Sequence, residues 1–211
     1  MVSQASIARS SRNAQRRRRV FEALHDCVVA KGYNRTTLSD IAAKAGMTSS
    51  HLHYYFDNKD DILEQYFDNV SRRLLREIER LHEAPAALQI DRLADLWFSA
   101  ETSAPSEIGF MLECFGAAVH DEKMRTAKAH FDREAKRHLA TLIASSAGRG
   151  AALGKDGAEA AYAMMIGLRS SVYFDESMSL AQSQQIFIQS LRLIGRLDSR
   201  LSVDASEPRQ A

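Results

Sequence analysis

Residues 36–63 read TTLSDIAAKAGMTSSHLHYYFDNKDDIL and contain two short helical patterns separated by one glycine. In the first pattern, apolar side chains recur at helical spacing and give the segment one apolar face. These side chains are Leu38, Ile41, Ala42 and Ala45. Gly46 enters a left-handed turn at no steric cost, and Thr48 supplies an oxygen that caps the next helix. The stretch therefore predicts two helices joined by a tight turn.

The second predicted helix, about residues 48–55, is mostly polar. Met47 and Leu52 can face a core. Five side chains that donate or accept hydrogen bonds remain outside: Ser49, Ser50, His51, His53 and Tyr54. A helix pair of this kind is the helix-turn-helix pattern, whose second helix enters the major groove of DNA. We therefore expect this polar face to bind DNA.

The same region resembles the DNA-binding domain of TetR-family transcriptional regulators. The matching positions are Phe21, Gly32, Tyr33, Thr36, Thr37, Ile41, Ala42, Ala45, Gly46, Leu52, Tyr55, Phe56, Lys59 and Leu63. Two positions depart from the family pattern, because His53 stands where the family often has Tyr and Ser50 where it often has Gly. The resemblance implies an operator-binding protein with a second, ligand-sensing domain.

Candidate DNA contacts follow from the polar face and from the resemblance together. Base edges or nearby phosphates are assigned to Ser49, Ser50, His51 and Tyr54, and backbone positioning to Thr37, His53 and Lys59; Ser39 and Thr48 complete the DNA-binding set. Two of these residues have a second interpretation. Thr37 is also a helix cap, and Lys59 can form an ion pair with a neighbouring aspartate instead of touching a phosphate.

Charge is distributed unevenly along the chain. Residues 1–60 contain 10 Lys and Arg against 5 Asp and Glu, and residues 61–211 contain 18 against 22, although the whole chain carries only +1. A basic amino-terminal part is typical of a protein that binds a polyanion. The run Arg16–Arg19 is either a solvated flank or a clamp on phosphates beside the recognition helix.

Composition limits the class of protein. The chain has 211 residues, of which 45% are hydrophobic and 26% charged, as in ordinary globular proteins. No apolar run approaches the roughly 18 residues of a membrane helix, and the start of the chain lacks the apolar region of a signal peptide. Cys27 and Cys114 suit reduced thiols better than a disulfide framework. We therefore expect a cytoplasmic protein.

The apolar patterns predict an all-α fold of about nine helices, with an amino-terminal three-helix DNA-binding domain and a carboxyl-terminal helical domain. The predicted helices cover residues 16–31, 36–45, 48–55, 59–81, 88–101, 105–119, 123–147, 158–174 and 180–201. We expect a flexible basic arm at 1–15, a helix-turn-helix domain at 16–58, a connecting helix at 59–82, a ligand-binding and dimerisation domain at 83–201, and a flexible tail at 202–211. Residues 148–157 are predicted as a loop.

The last two predicted helices carry more apolar and small side chains than one core can use. These residues are Ala160, Ala161, Ala163, Met164, Gly167, Leu168 and Ser171, followed by Ile186, Phe187, Ser190, Leu191, Ile194, Gly195 and Leu197. They predict a homodimer built as a four-helix bundle. The alternative is a hairpin within one chain.

A small-molecule pocket in the larger domain is implied mainly by the resemblance. The candidates are Trp97, Phe110, Met111, Cys114, Phe115, Phe131, His138, Met164 and Leu168. For each of them, ordinary core packing is the alternative. His138 and Tyr162 would supply the few polar groups that such a pocket needs.

Motifs of other protein classes do not occur in the sequence. It has no GxSxG, HExxH or Walker loop, and its histidines lack the spacing of a metal site. We therefore expect no catalysis, cofactor or metal, and interpret the chain as a repressor that a ligand releases from DNA. The alternatives are an activator, an interaction protein, and a small helical enzyme that uses His120 or His138.

Overall fold

The computed structural model describes residues 4–146 and 155–204, with side chains described for 12–145 and 156–194. All regular elements in these ranges are α-helices, which confirms the predicted fold class. The ten helices are α1 Gln4–Lys31, α2 Leu38–Lys44, α3 Ser49–His53, α4 Lys59–Leu81, α5 Ala86–Phe98, α6 Ala100–Ser103, α7 Pro105–His120, α8 Glu122–Ser146, α9 Lys155–Phe174 and α10 Leu180–Asp204. No helix in the described part of the chain is long and apolar enough to cross a membrane.

Several helix boundaries differ from the predicted ones. Helix α1 begins at Gln4 and not at Arg16, because residues 4–31 contain no proline or glycine that would stop a helix. The flexible behaviour of residues 1–15 stays a prediction. Helix α9 includes residues 155–157 of the predicted loop, and α10 includes residues 202–204 of the predicted tail. The remainder of that loop and tail lies outside the described residues.

The helix predicted at 88–101 is two helices. Ser99 has extended backbone, with φ −72° and ψ 157°, and thereby ends α5 and caps α6. Two hydroxyl groups then satisfy carbonyls in the last turn of α5: Thr102 Oγ1 donates to Leu96 O at 2.8 Å, and Ser103 Oγ donates to Trp97 O at 2.6 Å. The break is stable because these carbonyls keep hydrogen-bond partners.

The chain divides into two compact units, and the division is not the contiguous one expected from the sequence. The first unit contains Met1–Val70 together with Gly109–Ala127, and the second contains Ser71–Ile108 with Lys128–Ala211. Residues from α7 and the start of α8 join the first unit because their apolar side chains belong to its core. These side chains are Phe110, Cys114, Ala118 and Met124.

The remaining core residues of the first unit come from the first four helices and from the loops that join α1 to α2 and α3 to α4. They include Val20, Leu24, Tyr33, Ile41, Ala42, Leu52, Phe56, Ile62 and Leu63. The second unit has its own core, which includes Ile78, Leu93, Trp97, Phe98, Leu139, Leu142, Ile143, Tyr162, Met165, Phe187 and Leu191. Each unit therefore buries its own set of large apolar side chains, the main stabilising contribution to such folds.

Candidate nucleic-acid interface

Helices α2 and α3 are each fixed at their start by a threonine. Thr37 Oγ1 accepts from the Asp40 N–H at 3.2 Å, and Asp40 Oδ2 accepts from the Thr37 N–H at 2.8 Å, which is a complete capping box. Thr48 Oγ1 accepts from the His51 N–H at 3.2 Å. Gly46 lies between them with φ +67°, a conformation that favours glycine. The predicted turn chemistry is confirmed.

Helix α3 buries one side and exposes the other. Leu52, together with Phe56 just after the helix, is buried in the core of the first unit. Ser50, His53 and Tyr54 are exposed, and the Tyr54 side chain is 72% exposed. The exposed side of α3 thus combines hydroxyl, imidazole and phenol groups, all of which can donate or accept hydrogen bonds.

Most of the predicted DNA contacts lie on this surface. Thr37, Ser39 and Thr48 are exposed, and Ser49 and His51 are half-buried. Ser39 Oγ of α2 and Ser49 Oγ of α3 approach within 3.5 Å, so the two helices present neighbouring hydroxyls. Their individual roles on DNA stay predictions.

Lys59 has a position that neither interpretation of the sequence anticipated. Its Nζ donates to the Tyr33 carbonyl oxygen at 2.8 Å and lies 4.1 Å from the centre of the Tyr33 ring. Asp60 accepts a hydrogen bond from the Tyr33 hydroxyl instead. Burial, with that hydrogen bond, raises the pKa of Tyr33 well above its ordinary value. Lys59 thus holds the loop before α2, and its phosphate contact stays a prediction.

The arginine run is not uniform. Arg16 donates from Nη1 to the Tyr55 hydroxyl at 2.8 Å, and the Arg17 guanidinium lies 5.2 Å from the centre of the Phe56 ring. Arg18 forms an exposed ion pair with Glu22 at 2.8 Å. Sequence reasoning left Arg16 open between solvent and a phosphate, and it did not name Tyr55 as a site residue. One signal was present for Arg16, because it stands one helical turn before the buried Val20 and therefore lies on the side of α1 that faces the rest of the unit.

Side chains of α1 and the α3 region border an open cleft of about 560 Å³. The lining residues are Arg12, Asn13, Arg16, Ser50, His51, Tyr54 and Tyr55. None of these seven residues, all within the described side chains, is acidic. Helix α3 therefore has a positively charged cleft along one side.

The residues predicted to bind a small molecule do not form one cluster. Phe110 and Cys114 belong to the core of the first unit, where the Phe110 ring lies 4.8 Å from the His25 ring. Met111 and Phe115 are half-buried residues of the same unit. The others lie in the second unit, with Trp97 in its core, His138 buried, and Phe131, Met164 and Leu168 packed against the core. Burial raises the pKa of Cys114 to about 12, so this thiol is unreactive.

No group of three or more potential metal ligands occurs among the residues that the structure describes.

Comparison with known proteins agrees with this geometry. Residues 21–66 match the family model for bacterial regulatory proteins of the tetR family. Residues 86–194, more than half of the chain, match the model for the carboxyl-terminal part of BetI-type transcriptional repressors. The chain belongs to the TetR family. As a TetR-family protein it is a DNA-binding transcriptional regulator. None of the curated proteins matches its sequence.

Solved structures share the fold of this TetR-family chain. A transcriptional regulator from Pseudomonas aeruginosa PAO1 is 21% identical with a TM-score of 0.76, over 89% of this chain and 94% of that one. A regulator from Saccharomonospora viridis in complex with choline is 22% identical with a TM-score of 0.73, over 83% and 95%. The fatty acid degradation regulator FadR from Bacillus halodurans is 17% identical with a TM-score of 0.73, over 86% and 96%.

Proposed function

We propose that this TetR-family regulator is a repressor that binds an operator as a homodimer and leaves it when a small molecule binds the second unit. The observation that carries the DNA-binding part is the exposed polar face of α3, held by the Thr48 cap and by the buried Leu52. Two such helices, one per subunit, would enter successive major grooves about one helical turn apart. A single helix of this size would bind weakly.

Each residue of the α2–α3 surface has a proposed task. Ser49, Ser50, His51 and Tyr54 contact base edges or nearby phosphates, and Thr37 and His53 position the DNA backbone. Ser39 and Thr48 support the same surface. Lys59 is placed so that it orders the Tyr33 loop, and any phosphate contact would use the N–H groups of its ammonium that Tyr33 does not occupy.

Dimerisation through α9 and α10 is supported by apolar side chains left in solvent. Phe174 is 71% exposed and Leu193 is 60% exposed, and Tyr173 stands beside Phe174 with an exposed ring. Phe187 and Leu191 are used in the core of their own chain. Gly195 and Leu197 lie outside the described side chains. We therefore propose that the exposed residues, more than the buried ones, form the contact between subunits.

Effector binding in the second unit is supported by buried polar atoms that lack partners among the described residues. These atoms are Trp97 Nε1, Arg169 Nε and Ser183 Oγ. Buried polar groups are almost always hydrogen-bonded, so these three atoms are the groups of the second unit that we propose a bound molecule would satisfy. Burial lowers the pKa of Arg169 to about 10, and the side chain therefore keeps its charge at neutral pH. The effector must prefer one conformation of the dimer over the other.

Footprinting on DNA that flanks the protein's own gene tests the operator. We expect one protected region, with His51→Ala losing sequence preference while overall affinity falls less. A protein that ignores double-stranded DNA at low salt would contradict the proposal.

Trp97 is the single tryptophan of the chain and reports on the second unit. Its fluorescence during titration with choline and with short and long carboxylates tests for an effector, and operator release by the same compound tests repression.

A further inference from the structure

We infer that the cleft between α1 and α3 is a second DNA contact on each subunit, which seats a backbone phosphate beside the base-reading face. The inference rests on the proposed operator binding and adds a site to it. The cleft-lining residues that carry it are Arg12, Arg16 and Tyr55, none of which belongs to the polar face predicted from the sequence.

Hydrogen-bond donors of several kinds converge on this cleft. The Tyr55 oxygen accepts from Arg16 Nη1 at 2.8 Å, so the hydroxyl proton of Tyr55 is left to donate to a ligand. A guanidinium has five N–H donors, and the bond to Tyr55 uses one of them. Asn13 adds an amide and Arg12 a second guanidinium. Donors and positive charge without a carboxylate are what a phosphate requires.

The neighbouring arginines differ from Arg16 in what they contact. Arg17 lies against the Phe56 ring and donates to Gln65, and Arg18 is neutralised by Glu22. Arg16 contacts a neutral hydroxyl in the cleft, and its charge is not paired with a carboxylate among the described residues. Within the arginine run, Arg16 therefore lies at the cleft, whereas Arg18 lies outside it and serves as the matched control.

The location of the cleft favours a phosphate of bound DNA over a free anion. Ser50, His51 and Tyr54 line it from the helix that reads bases, so a duplex engaged by α3 brings its backbone to the same place.

Arg16 also acts as a positioning residue for the reading face. The Tyr55 ring that it holds lies 5.5 Å from the His51 ring and 5.1 Å from the Tyr54 ring. A phosphate bound to Arg16 and Tyr55 would therefore limit the orientations of both reading side chains. Loss of Arg16 should reduce selectivity between operator and unrelated DNA as well as affinity.

Fluorescence anisotropy with a labelled operator duplex over a range of salt concentrations tests the site. In Arg16→Gln we expect the slope of log affinity against log salt to become shallower by about 0.9 per subunit, or roughly 1.8 per dimer. Arg18→Gln, the matched control, should keep the slope of the unsubstituted protein. Tyr55→Phe should lose affinity severalfold with an unchanged slope, because a neutral donor displaces no counterion. Equal slopes for Arg16→Gln and Arg18→Gln would overturn the inference.

Two further measurements separate the possible failures. If Arg16→Gln unfolds at assay temperature by circular dichroism, the exposed Arg12→Gln replaces it with the same expected loss of slope. Inorganic phosphate at constant ionic strength should displace the duplex no better than chloride does. Competition by millimolar phosphate that disappears in Arg16→Gln would show a free-anion site and overturn the assignment to DNA. Failure of the unsubstituted protein to bind any duplex would instead reject the proposed function.

Discussion

Tyr33 is a single residue through which three elements are joined. Its N–H donates to Glu113 Oε2 of α7 at 3.1 Å, its carbonyl accepts from Lys59 of α4, and its hydroxyl donates to Asp60. The loop that precedes the Thr37 cap is therefore held on both sides. Orientation of α2 depends on side chains that are distant in sequence.

Loss of the Glu113 carboxylate should destabilise the first unit. In Glu113→Ala the partly buried Tyr33 N–H loses its acceptor, and we expect about 1 kcal/mol less free energy of unfolding. Urea titration followed by circular dichroism measures the change. Glu83→Ala, at an exposed position, is the control and should stay near the unsubstituted value. Equal stability of the two variants would show that Tyr33 does not depend on Glu113.

Gly32 and Gly46 both have positive φ, but only Gly32 has a close neighbour, so the two positions distinguish backbone strain from steric crowding. Gly32 has φ +81°, and a Cβ there would lie 3.1 Å from Glu113 Oε1, whereas Gly46 has φ +67° and nothing within 4 Å. Both alanine variants adopt a strained left-handed conformation at a cost of about 1–2 kcal/mol. We expect Gly32→Ala to lose more, because it also displaces Glu113. Thermal melts of both variants measure the difference, and a larger loss in Gly46→Ala would contradict this account.

At the scale of helices, the sequence predicted those features that depend on residues only a few positions apart. The threonine caps of α2 and α3 and the bounds of α4 follow from spacing within a few residues. The serine that divides α5 from α6 was missed, because its effect depends on hydroxyls that satisfy the broken carbonyls. Helix α7 is apolar on nearly every side, as buried helices are, but this composition could not reveal that Phe110 and Cys114 belong to the core of the first unit. Arg16 was ambiguous for the same reason, since its partner Tyr55 is distant in sequence.

A histidine pair joins the end of α4 to α8 within the second unit. His82 Nε2 lies 3.0 Å from His138 Nδ1, and His138 Nε2 lies 3.2 Å from an Arg137 nitrogen. Arginine is only a donor, so His138 accepts at Nε2 and donates from Nδ1. Burial, then Arg137 and His82, lower the pKa of His138, while Glu79 and Glu134 oppose the shift.

Stability should therefore fall in mild acid. The unfolded chain takes up a proton near the ordinary value of 6.5, whereas the folded protein keeps His138 neutral to lower pH. The stabilisation is present above pH 6.5 and is lost as pH falls through the lowered pKa. Thermal melts between about pH 8 and 5 measure this. His138→Gln should flatten the dependence, and the exposed His130→Gln on the same helix should not. A melting temperature of the unsubstituted protein that does not change over this pH range would show that His138 does not control stability.

At the scale of the whole molecule, the exposed side chains of α9 and α10 are expected to control assembly. Leu193→Glu places a charge on the proposed subunit contact and should convert the dimer to a monomer with weaker operator binding. Analytical ultracentrifugation measures the mass. Val119→Glu changes an apolar residue that is 63% exposed on α7 and is the control, expected to stay dimeric. A dimeric Leu193→Glu would direct the search to another surface.

The first unit should not fold from residues 1–82 alone. Such a fragment lacks Phe110, Cys114, Ala118 and Met124, which are buried in that unit's core. Loss of several large core side chains costs more than the usual stability of a small domain. Circular dichroism of the purified fragment should show a shallow, non-cooperative melt. A sharp transition would mean that the remaining core is sufficient.

The contribution of α7 to the core of the first unit has a consequence for exchanging parts between relatives. Consider a hybrid that takes α1–α4 from one family member and the rest of the chain from another. Its first unit would combine α1 of one parent with the residues of the other parent at positions 110 and 114. We expect a hybrid to fold when residues 109–127 come from the same parent as α1–α4 and replace the corresponding segment of the other parent. The part that can be exchanged is therefore the set of residues that share one core, although they are not contiguous in sequence.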